Sequence, residues 1–254
     1  MNSIFITGAG AGIGLATARK FHAEGWSVGL TDISETSLSA VAAELGERVW
    51  WRVLDVTDSD RVRATLDAFS REHEGRLNVL FNCAGILKTG AFENISAEQH
   101  KAIVDINVVG LMNVTHGAFR FLRNTQGAMV VNMSSASAVY GVPDFASYSA
   151  SKFAVKGLTE ALNLEWHKHD IRVFDIMPPF VKTAMVASNH SPIMDRLGVD
   201  LNADDIAMAV WETVNSNAVA LVHRPVGLQF RATMLAAKVF PARATRALIG
   251  FLSR

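Results

Sequence analysis

Cysteine, net charge and long apolar runs are scarce in this sequence, and each shortage excludes a class of protein. The single cysteine, Cys83, excludes a disulfide within the chain and suits a reducing compartment, so we expect a cytoplasmic protein. The 24 basic and 24 acidic residues cancel, which argues against a nucleic-acid-binding protein. The N-terminus lacks a basic region followed by an apolar stretch, and no run of about 18 apolar residues occurs, so neither a signal peptide nor a membrane span is predicted.

Short apolar runs alternate with longer helical patterns along all 254 residues. Strands are predicted at residues 3–7, 27–31, 49–54, 78–82, 129–133, 172–176 and 219–222. Helices are predicted at residues 13–24, 34–45, 58–72, 102–122, 148–167 and 203–214. Strands this apolar are buried on both faces, as in a doubly wound parallel sheet of about seven strands with helices on each side. No repeat, low-complexity segment or linker divides the chain, which favours one α/β domain over residues 1–254.

Glycine is concentrated between the first predicted strand and the first predicted helix, where residues 7–14 read TGAGAGIG. Such a turn lets the backbone approach a pyrophosphate and directs a helix N-terminus at the anion. The spacing is GxxxGxG rather than GxGxxG. We therefore expect a Rossmann-type dinucleotide site, and the alternative is a glycine-rich loop without a ligand. The expected contacts are Gly8, Gly10, Gly12, Ile13 and Gly14.

Asp32 ends the second predicted strand, 20 residues after Gly12 (32 − 12). A carboxylate at this place accepts hydrogen bonds from the adenosine ribose and repels a 2′-phosphate. The only basic residues between Gly8 and Leu30 lie inside the first helix. The sequence therefore predicts NAD(H) rather than NADP as the cofactor. The alternative role for Asp32 is a helix cap, for which Ser34 is the better candidate.

Tyr148 and Lys152 stand four residues apart (152 − 148) in a predicted helix, so their side chains share one face. A nearby ammonium lowers the pKa of a phenol from about 10 toward the working range of a general base. Ser135 lies 13 residues upstream (148 − 135) and supplies a hydroxyl for a substrate oxygen. Each residue alone has an ordinary structural explanation, but together with the glycine motif they indicate hydride transfer.

These motifs resemble, in order and spacing, those of the short-chain dehydrogenase/reductase family in its compact single-domain form, over about residues 2–225. The family motif TGxxxGIG is Thr7–Gly14, and YxxxK is Tyr148 with Lys152. The Asn-Asn-Ala-Gly motif appears as Asn82-Cys83-Ala84-Gly85. Two positions depart from the family pattern: Cys83 replaces the second Asn, and Pro178-Pro179 stands where Pro-Gly is usual.

The resemblance implies a tetrad of Ser135, Tyr148, Lys152 and Asn107, in which Tyr148 is the general acid–base. It implies that Lys152 bonds the nicotinamide ribose and that Asn107 holds a water. No metal is implied. It also implies a homotetramer or homodimer built on the helices at 102–122 and 148–167, with Phe119, Phe121 and Phe153 as candidate contacts. The further cofactor contacts implied are Ile33, Asp55, Val56, Asn82, Ala84, Gly85, Tyr148, Lys152, Pro178, Val181 and Thr183.

Segments that follow the carboxyl ends of strands line the pocket in such a fold, and here they carry few charges. An apolar or weakly polar secondary alcohol or ketone is therefore the predicted substrate. Residues 183–198 have weak periodicity and are predicted to form a lid. The expected substrate contacts are Ile86, Phe92, Ser135, Val142, Phe145, Tyr148, Phe180 and Met185.

The C-terminal tail, residues 228–254, is basic and amphipathic. Such a tail can lie on an anionic membrane as a peripheral contact, cover a lipid-like substrate, or pack on a neighbouring subunit. The leading hypothesis is an NAD-dependent oxidoreductase acting on a steroid-like, aromatic or fatty alcohol or ketone. A 3-oxoacyl thioester reductase and a nucleotide-sensing binding protein are the alternatives.

Overall fold

The computed structural model describes residues 1–189, 191–216, 221–228, 230–232, 234 and 242–253. The strands are β1 Ser3–Thr7, β2 Ser27–Asp32, β3 Val49–Val53, β4 Val79–Asn82, β5 Met129–Met133, β6 Arg172–Met177, β7 Val181–Lys182, β8 Leu201–Asn202 and β9 His223–Pro225. The α-helices are α1 Gly12–Ala23, α2 Glu35–Leu45, α3 Ser59–Arg71, α4 Ala97–Val104, α5 Leu111–Arg123, α6 Ala146–Glu165, α7 Ala184–Ala187, α8 Pro192–Leu197, α9 Ala203–Asn215 and α10 Ala242–Leu252.

Seven strands form one sheet in the order β3-β2-β1-β4-β5-β6-β9, and every pair is parallel. This confirms the predicted α/β doubly wound sheet. The order reverses between β1 and β4, so the carboxyl ends of these two strands open a crevice at the switch point. The glycine-rich turn follows β1 at this crevice, and the segment Cys83–Gly85 follows β4.

The apolar strands bury both faces, and side-chain alternation sends neighbours to opposite layers. Ile4 and Ile6 belong to a core that also contains the inner sides of α1, α2 and α9. Phe5, between them, belongs to the other core, which α3 and α5 cover. Helices therefore lie on both faces, as the uninterrupted apolar strands predicted.

The central helical segment is longer than predicted, because it begins at Ala97 rather than at residue 102. Ser96 and Gln99 form a reciprocal capping box at its start. The whole segment, Ala97–Arg123, has an 18-residue window of mean hydropathy 1.3, so by length and composition it could span a membrane, which the sequence analysis did not foresee. Its inner side chains, among them Val114 and Leu122, are fully buried against the sheet, as in a core helix.

Two of the three phenylalanines predicted as subunit contacts are used inside the chain. Phe121 is buried in the core, and Phe119 packs on Trp166 with 4.9 Å between ring centroids. Both lie on the inner side of α5, where helical periodicity alone did not place them. Phe153 is 43% exposed on α6 and remains a candidate contact.

The prediction of the last strand at residues 219–222 was wrong where it can be compared. Residues 219 and 220 lie outside the described residues, and the strand is His223–Pro225, paired with Asp175–Met177. The strand forms at His223 because a polar contact holds this residue, whereas the prediction relied on an apolar sequence pattern. The His223 Nδ1 atom lies 2.8 Å from Oδ2 of the fully buried Asp175, and its Nε2 lies 2.8 Å from Glu160.

The Asp175–His223 pair makes stability depend on pH. The Asp175 carboxylate accepts a hydrogen bond from the His223 ring, which raises the pKa of His223. Burial raises the pKa of Asp175. Both groups hold protons more tightly in the folded state, so the stabilisation by His223 is complete below about pH 6.5 and is lost as pH rises through its raised pKa. We expect the Tm to fall between about pH 6 and pH 9. The double variant Asp175→Asn/His223→Gln, which titrates at neither position, is expected to lose this slope in thermal melts, and an unchanged slope contradicts the assignment.

The predicted lid, residues 183–198, contains two short helices, α7 and α8, next to a two-stranded sheet of β7 and β8. His190 lies outside the described residues. Asn189 accepts a hydrogen bond from the Thr89 backbone N–H at 3.0 Å, and Ser191 donates one to Asp144 at 3.1 Å. The segment is thereby tied to the loops that follow β4 and β5. Its movement as a lid stays a prediction.

Candidate active site

The glycine-rich turn connects β1 to α1, and its backbone lies close to the segment that follows β4. Gly8 has φ +69°, and a Cβ there would lie 2.9 Å from the Ala84 Cα atom. Gly12 has φ +52°, but a Cβ there would meet only the Thr183 side chain, at 3.5 Å. No side chain caps the first turn of α1, and no acid lies in it. The uncapped N–H groups and the space beside Gly12 suit a phosphate group.

Asp32 closes the turn on its other side. One carboxylate oxygen accepts from the Gly10 backbone N–H at 3.0 Å, and the other accepts from the Ser34 N–H at 3.0 Å. Ser34 is the N-cap of α2, as predicted, so Asp32 does not serve that role itself. Ile33, the next residue, is 75% exposed. A carboxylate therefore stands at the mouth of the crevice, beside an exposed side chain.

The segments after β3 and β4 form the neighbouring walls of the crevice. Asp55 Oδ1 accepts from the Thr57 backbone N–H at 2.9 Å, while Val56 is buried. Thr7 Oγ1 accepts from both the Cys83 and the Ala84 N–H groups at 3.1 Å, which fixes the end of β4 to the end of β1.

Asn82 has a structural position that the sequence analysis did not foresee. Its Nδ2 atom donates to Thr115 Oγ1 and to Asn132 Oδ1, each at 2.9 Å. The Asn132 amide donates in turn to Thr159 at 3.0 Å. This buried polar network links β4 and β5 to α5 and α6, so it positions the strand end that carries Gly85. A polar residue in an apolar strand was the available signal.

Tyr148, Ser135 and Lys152 come together at the end of β5. Tyr148 and Lys152 both lie in α6, as their spacing predicted, with Lys152 Nζ 5.4 Å from the Tyr148 ring centroid. Burial raises the pKa of the Tyr148 phenol to about 12, and a hydrogen bond with Ser135 partly lowers it. Ser135 is in extended conformation just before a short 3-10 turn, and its hydroxyl accepts from the Ser137 N–H at 3.2 Å.

The electrostatics of Tyr148 differ from the expectation that Lys152 would lower its pKa. Lys152 Nζ is buried and donates to the Met133 carbonyl at 2.8 Å, and burial lowers the pKa of this ammonium to about 8. At Tyr148 the largest effect is therefore the loss of water around the phenol, which raises its pKa, and the opposing effect comes from Ser135. The pKa of the neighbouring Cys83 thiol is also raised by burial, to about 12.

Asn107 is buried in a π-helical turn, Asp105–Gly110, between α4 and α5. Its Oδ1 accepts from the Ile86 N–H at 2.8 Å, and its Nδ2 donates to the Ile86 carbonyl at 3.0 Å and to Ser151 at 3.1 Å. A Cβ on Gly85 would lie 3.1 Å from Asn107 Oδ1 and 3.9 Å from Lys152 Nζ. Asn107 thus joins the group around Lys152, and π-turns are frequent at functional sites.

An apolar cluster lies beside Tyr148. Its buried members are Phe145, Ile193 and Met194. The Phe145 ring is 6.3 Å from that of Tyr148 and 5.9 Å from that of Phe180. The other members, each half-buried, are Leu87, Val142, Tyr148, Phe180, Val186 and Leu252.

The predicted substrate contacts divide into two groups. Val142, Phe145 and Phe180 meet in the cluster, and the half-buried Ile86 is held next to Asn107. Phe92 is 59% exposed and stacks on His100 at 4.3 Å instead. Met185 is 38% exposed on α7. Met194 was expected to line the pocket, whereas the sequence analysis missed Ile193 and Leu252, which a helical apolar pattern in the lid and the tail could have indicated.

The segment after β6 returns to the glycine-rich turn. The Pro178 carbonyl accepts from the Ala136 N–H at 2.9 Å, and Val181 is buried in β7. Thr183 caps α7 and faces Gly12, as described above. The crevice is thus bounded by an uncapped helix start, a carboxylate, the half-buried Ser135 and Tyr148, and the buried Lys152. These residues fit a dinucleotide cofactor whose phosphates lie at the glycine turn.

A protein-family model described as short chain dehydrogenase matches residues 2–193 of this chain. The chain is a short-chain dehydrogenase. It is therefore an oxidoreductase of this family, as the motifs predicted.

Three proteins illustrate what this short-chain dehydrogenase is similar to. The 3-oxoacyl-(acyl-carrier-protein) reductase of Thermotoga maritima is 34% identical over 183 residues, which are 71% of this chain and 74% of that protein. The 3alpha-hydroxysteroid dehydrogenase of Mediterraneibacter gnavus is 32% identical over 188 residues, 72% of this chain and 75% of that protein. The structure of the 3-ketoacyl-(acyl-carrier-protein) reductase from Brucella melitensis, complexed with NADH, has a TM-score of 0.82 and 25% identity, covering 89% of this chain and 96% of that chain.

Proposed function

We propose that this short-chain dehydrogenase transfers hydride between NAD(H) and an apolar secondary alcohol or ketone. The observation that carries the proposal is the half-buried Tyr148 phenol with the Lys152 ammonium 5.4 Å from its ring centroid, next to Ser135 and beside an apolar cluster. A proton acceptor, an oxygen-binding hydroxyl and an apolar wall are what alcohol oxidation requires.

Tyr148 is the general acid–base: it takes the proton of the substrate hydroxyl in oxidation and returns it in reduction. Ser135 holds the substrate oxygen and stabilises the charge that develops on it. Lys152, fixed by the Met133 carbonyl, keeps a cation beside the phenol. It would also bond the nicotinamide ribose. Asn107 holds the Ile86 backbone, and its proposed role is to bind a water that links Lys152 to solvent.

The proposed cofactor contacts follow the walls of the crevice. The N–H groups of the glycine-rich turn would hold the diphosphate, Asp32 would hold the adenosine ribose, and Asp55 with Val56 would bind the adenine. Cys83–Gly85, Val181 and Thr183 complete the nicotinamide side. When bound, the nicotinamide supplies the hydride acceptor or donor.

The preference for NAD rests on the Asp32 carboxylate. Its negative charge would face the extra phosphate of NADP, so removal of the charge should reduce discrimination. For Asp32→Asn, which retains an acceptor for the Gly10 N–H, we expect the ratio of kcat/KM for NAD to that for NADP to fall about tenfold or more. Glu35→Gln, on the adjacent turn, is the matched control and should leave the ratio unchanged. A wild-type protein that uses NADP more efficiently on the same substrate contradicts the NAD preference.

The proposed substrate class follows from the apolar cluster beside Tyr148, in which the half-buried Val142 and Phe180 pack on a buried group that contains Phe145. The test is the absorbance of reduced nicotinamide with secondary alcohols of several kinds: steroids, aryl and aliphatic alcohols, polyols and 3-hydroxyacyl thioesters. Turnover of an apolar alcohol supports the proposal. Turnover of polyols alone contradicts the substrate class, and tight NADH binding with no turnover favours the binding-protein alternative.

Reduction of a 3-oxoacyl thioester is the second candidate, because two of the similar proteins carry that activity in their names. The thioester arm of the same assay distinguishes it. A thioester reductase would turn over the 3-hydroxyacyl thioester with a higher kcat/KM than a free alcohol of equal chain length.

We also propose a homo-oligomer formed through the helices on one side of the molecule, in a cytoplasmic protein. Apolar side chains are exposed there: Val109 at 42% and Met112 at 48% on the central helical segment, and Phe153 at 43% and Leu164 at 79% on α6. Sedimentation velocity of the full chain tests the assembly. The alternative of peripheral membrane contact has no support in the similar proteins, and the tail has a different role in the following inference.

A further inference from the structure

The C-terminal helix α10 returns to the catalytic side of the molecule. Its outer residues Arg243, Arg246 and Ala247 are exposed, whereas Ile249 and Leu252 are half-buried. The spacing of three residues (252 − 249) places the last two on one face of the helix. Within the described residues 242–253, the basic side chains at 243 and 246 thus face solvent, whereas Ile249 and Leu252 face the rest of the chain.

Two contacts fix this helix to the lid helix α8. Arg196 donates from Nη1 to the Phe251 carbonyl at 2.6 Å, and its guanidinium lies 5.1 Å from the centre of the Phe251 ring. A cation near a helix C-terminus is also attracted to the carbonyl groups that have no partner within the helix. The last turn of α10 is thus held at a defined place on α8.

Leu252 packs against the apolar cluster of Phe145, Ile193 and Met194, on which Tyr148 also packs. Ile193 and Met194 belong to α8, so one apolar cluster joins α8 to both the C-terminal helix and Tyr148. Ser191, at the start of α8, is tied to Asp144 at 3.1 Å. The cluster is therefore closed on one side by the loop after β5 and on the other by the C-terminal helix.

We infer that α10 is the outer wall of the substrate pocket and that Leu252 determines how well the chain accepts the distal part of an apolar substrate. The inference rests on the proposed function. Leu252 is a specificity residue rather than a catalytic one, because its contacts are with the apolar cluster and not with the reacting atoms. Replacement of Leu252 should therefore leave the KM for a short substrate unchanged and raise the KM for a long one.

The kinetic test compares 2-butanol with 2-decanol in the full chain with NAD. For Leu252→Ala we expect the KM for 2-decanol to rise about tenfold or more, since one lost methylene contact in an apolar pocket is worth about tenfold or more. The kcat, and both constants for 2-butanol, should change less than about twofold. Leu252→Met, which conserves volume, should restore the wild-type KM. Leu228→Ala, at a leucine that is 84% exposed, is the matched control.

Hydrogen exchange of residues 246–253 provides a readout without turnover. In wild type, NAD with 2-decanone should slow exchange there, and in Leu252→Ala the slowing should be lost. Arg196→Met should speed exchange in the same residues. Equal KM for 2-decanol in Leu252→Ala and Leu228→Ala, or exchange that 2-decanone leaves unchanged, overturns the inference. Absence of alcohol turnover with the ketone effect on exchange intact overturns the proposed function and leaves the pocket wall supported.

Discussion

Tyr148→Phe is expected to lower kcat about 10²- to 10⁴-fold, the range typical of a lost general acid–base, while NADH binding stays within about twofold of wild type. The substitution removes one oxygen and retains the ring that packs on Phe145. The variant therefore separates chemistry from folding. Loss of the phenol leaves the substrate hydroxyl without a proton acceptor, although Ser135 and Lys152 remain in place.

Tyr140, the other tyrosine in the chain, supplies the control. It is half-buried in the loop that follows β5, and Tyr140→Phe makes the same chemical change outside the Ser135–Lys152 group. We expect its kcat to stay within about twofold of wild type. The measurement is steady-state kinetics on the best alcohol together with a fluorescence titration of NADH. Comparable turnover by both variants would remove Tyr148 from the mechanism.

Most of the fold could be predicted because its signals are local. The strand Met129–Met133 was predicted to the residue, since a short apolar run between polar turns defines both ends. The caps Ser34 and Asp58 hold the starts of α2 and α3 by hydrogen bonds to their own first turns. The Tyr148–Lys152 pair followed from helical spacing alone.

Elements that depend on distant contacts could not be predicted in the same way. The π-turn at Asn107 accompanies hydrogen bonds to the Ile86 backbone, 21 residues away in sequence. The edge strand at His223 is short and polar, and Asp175 holds it from 48 residues away. In both cases the contact joins residues that no local sequence pattern brings together.

The candidate site shows the same division between residue placement and electrostatics. Spacing placed Lys152 beside Tyr148, but the pKa of the phenol depends on how deeply both groups are buried. Spacing also indicated an amphipathic tail, but only the folded chain shows Leu252 against the cluster around Phe145. Motifs therefore predict which groups react, whereas the surroundings of those groups decide how strongly they do so.

Gly14→Ala is expected to destabilise the protein and abolish NADH binding, although it adds a single methyl group. A Cβ at Gly14 would lie 2.1 Å from the Gly8 carbonyl oxygen and 2.8 Å from the Gly8 carbonyl carbon, both backbone atoms. Backbone cannot rotate away as a side chain does, so the turn and the start of α1 must separate. We expect a cost of about 1–3 kcal/mol or more and a clear fall in Tm.

Gly157→Ala adds the same methyl group but is expected to stabilise the protein. Gly157 lies in α6, and a Cβ there meets nothing within 4 Å. Alanine in an exposed helix interior gains about 0.5–1 kcal/mol over glycine, so its Tm should rise. Thermal melts with and without NADH distinguish the two sites, because a bound ligand raises the Tm only where the binding turn is intact. If Gly14→Ala melts like wild type and NADH still raises its Tm, the close contact between Gly8 and Gly14 is not required for the glycine-rich turn to bind the cofactor.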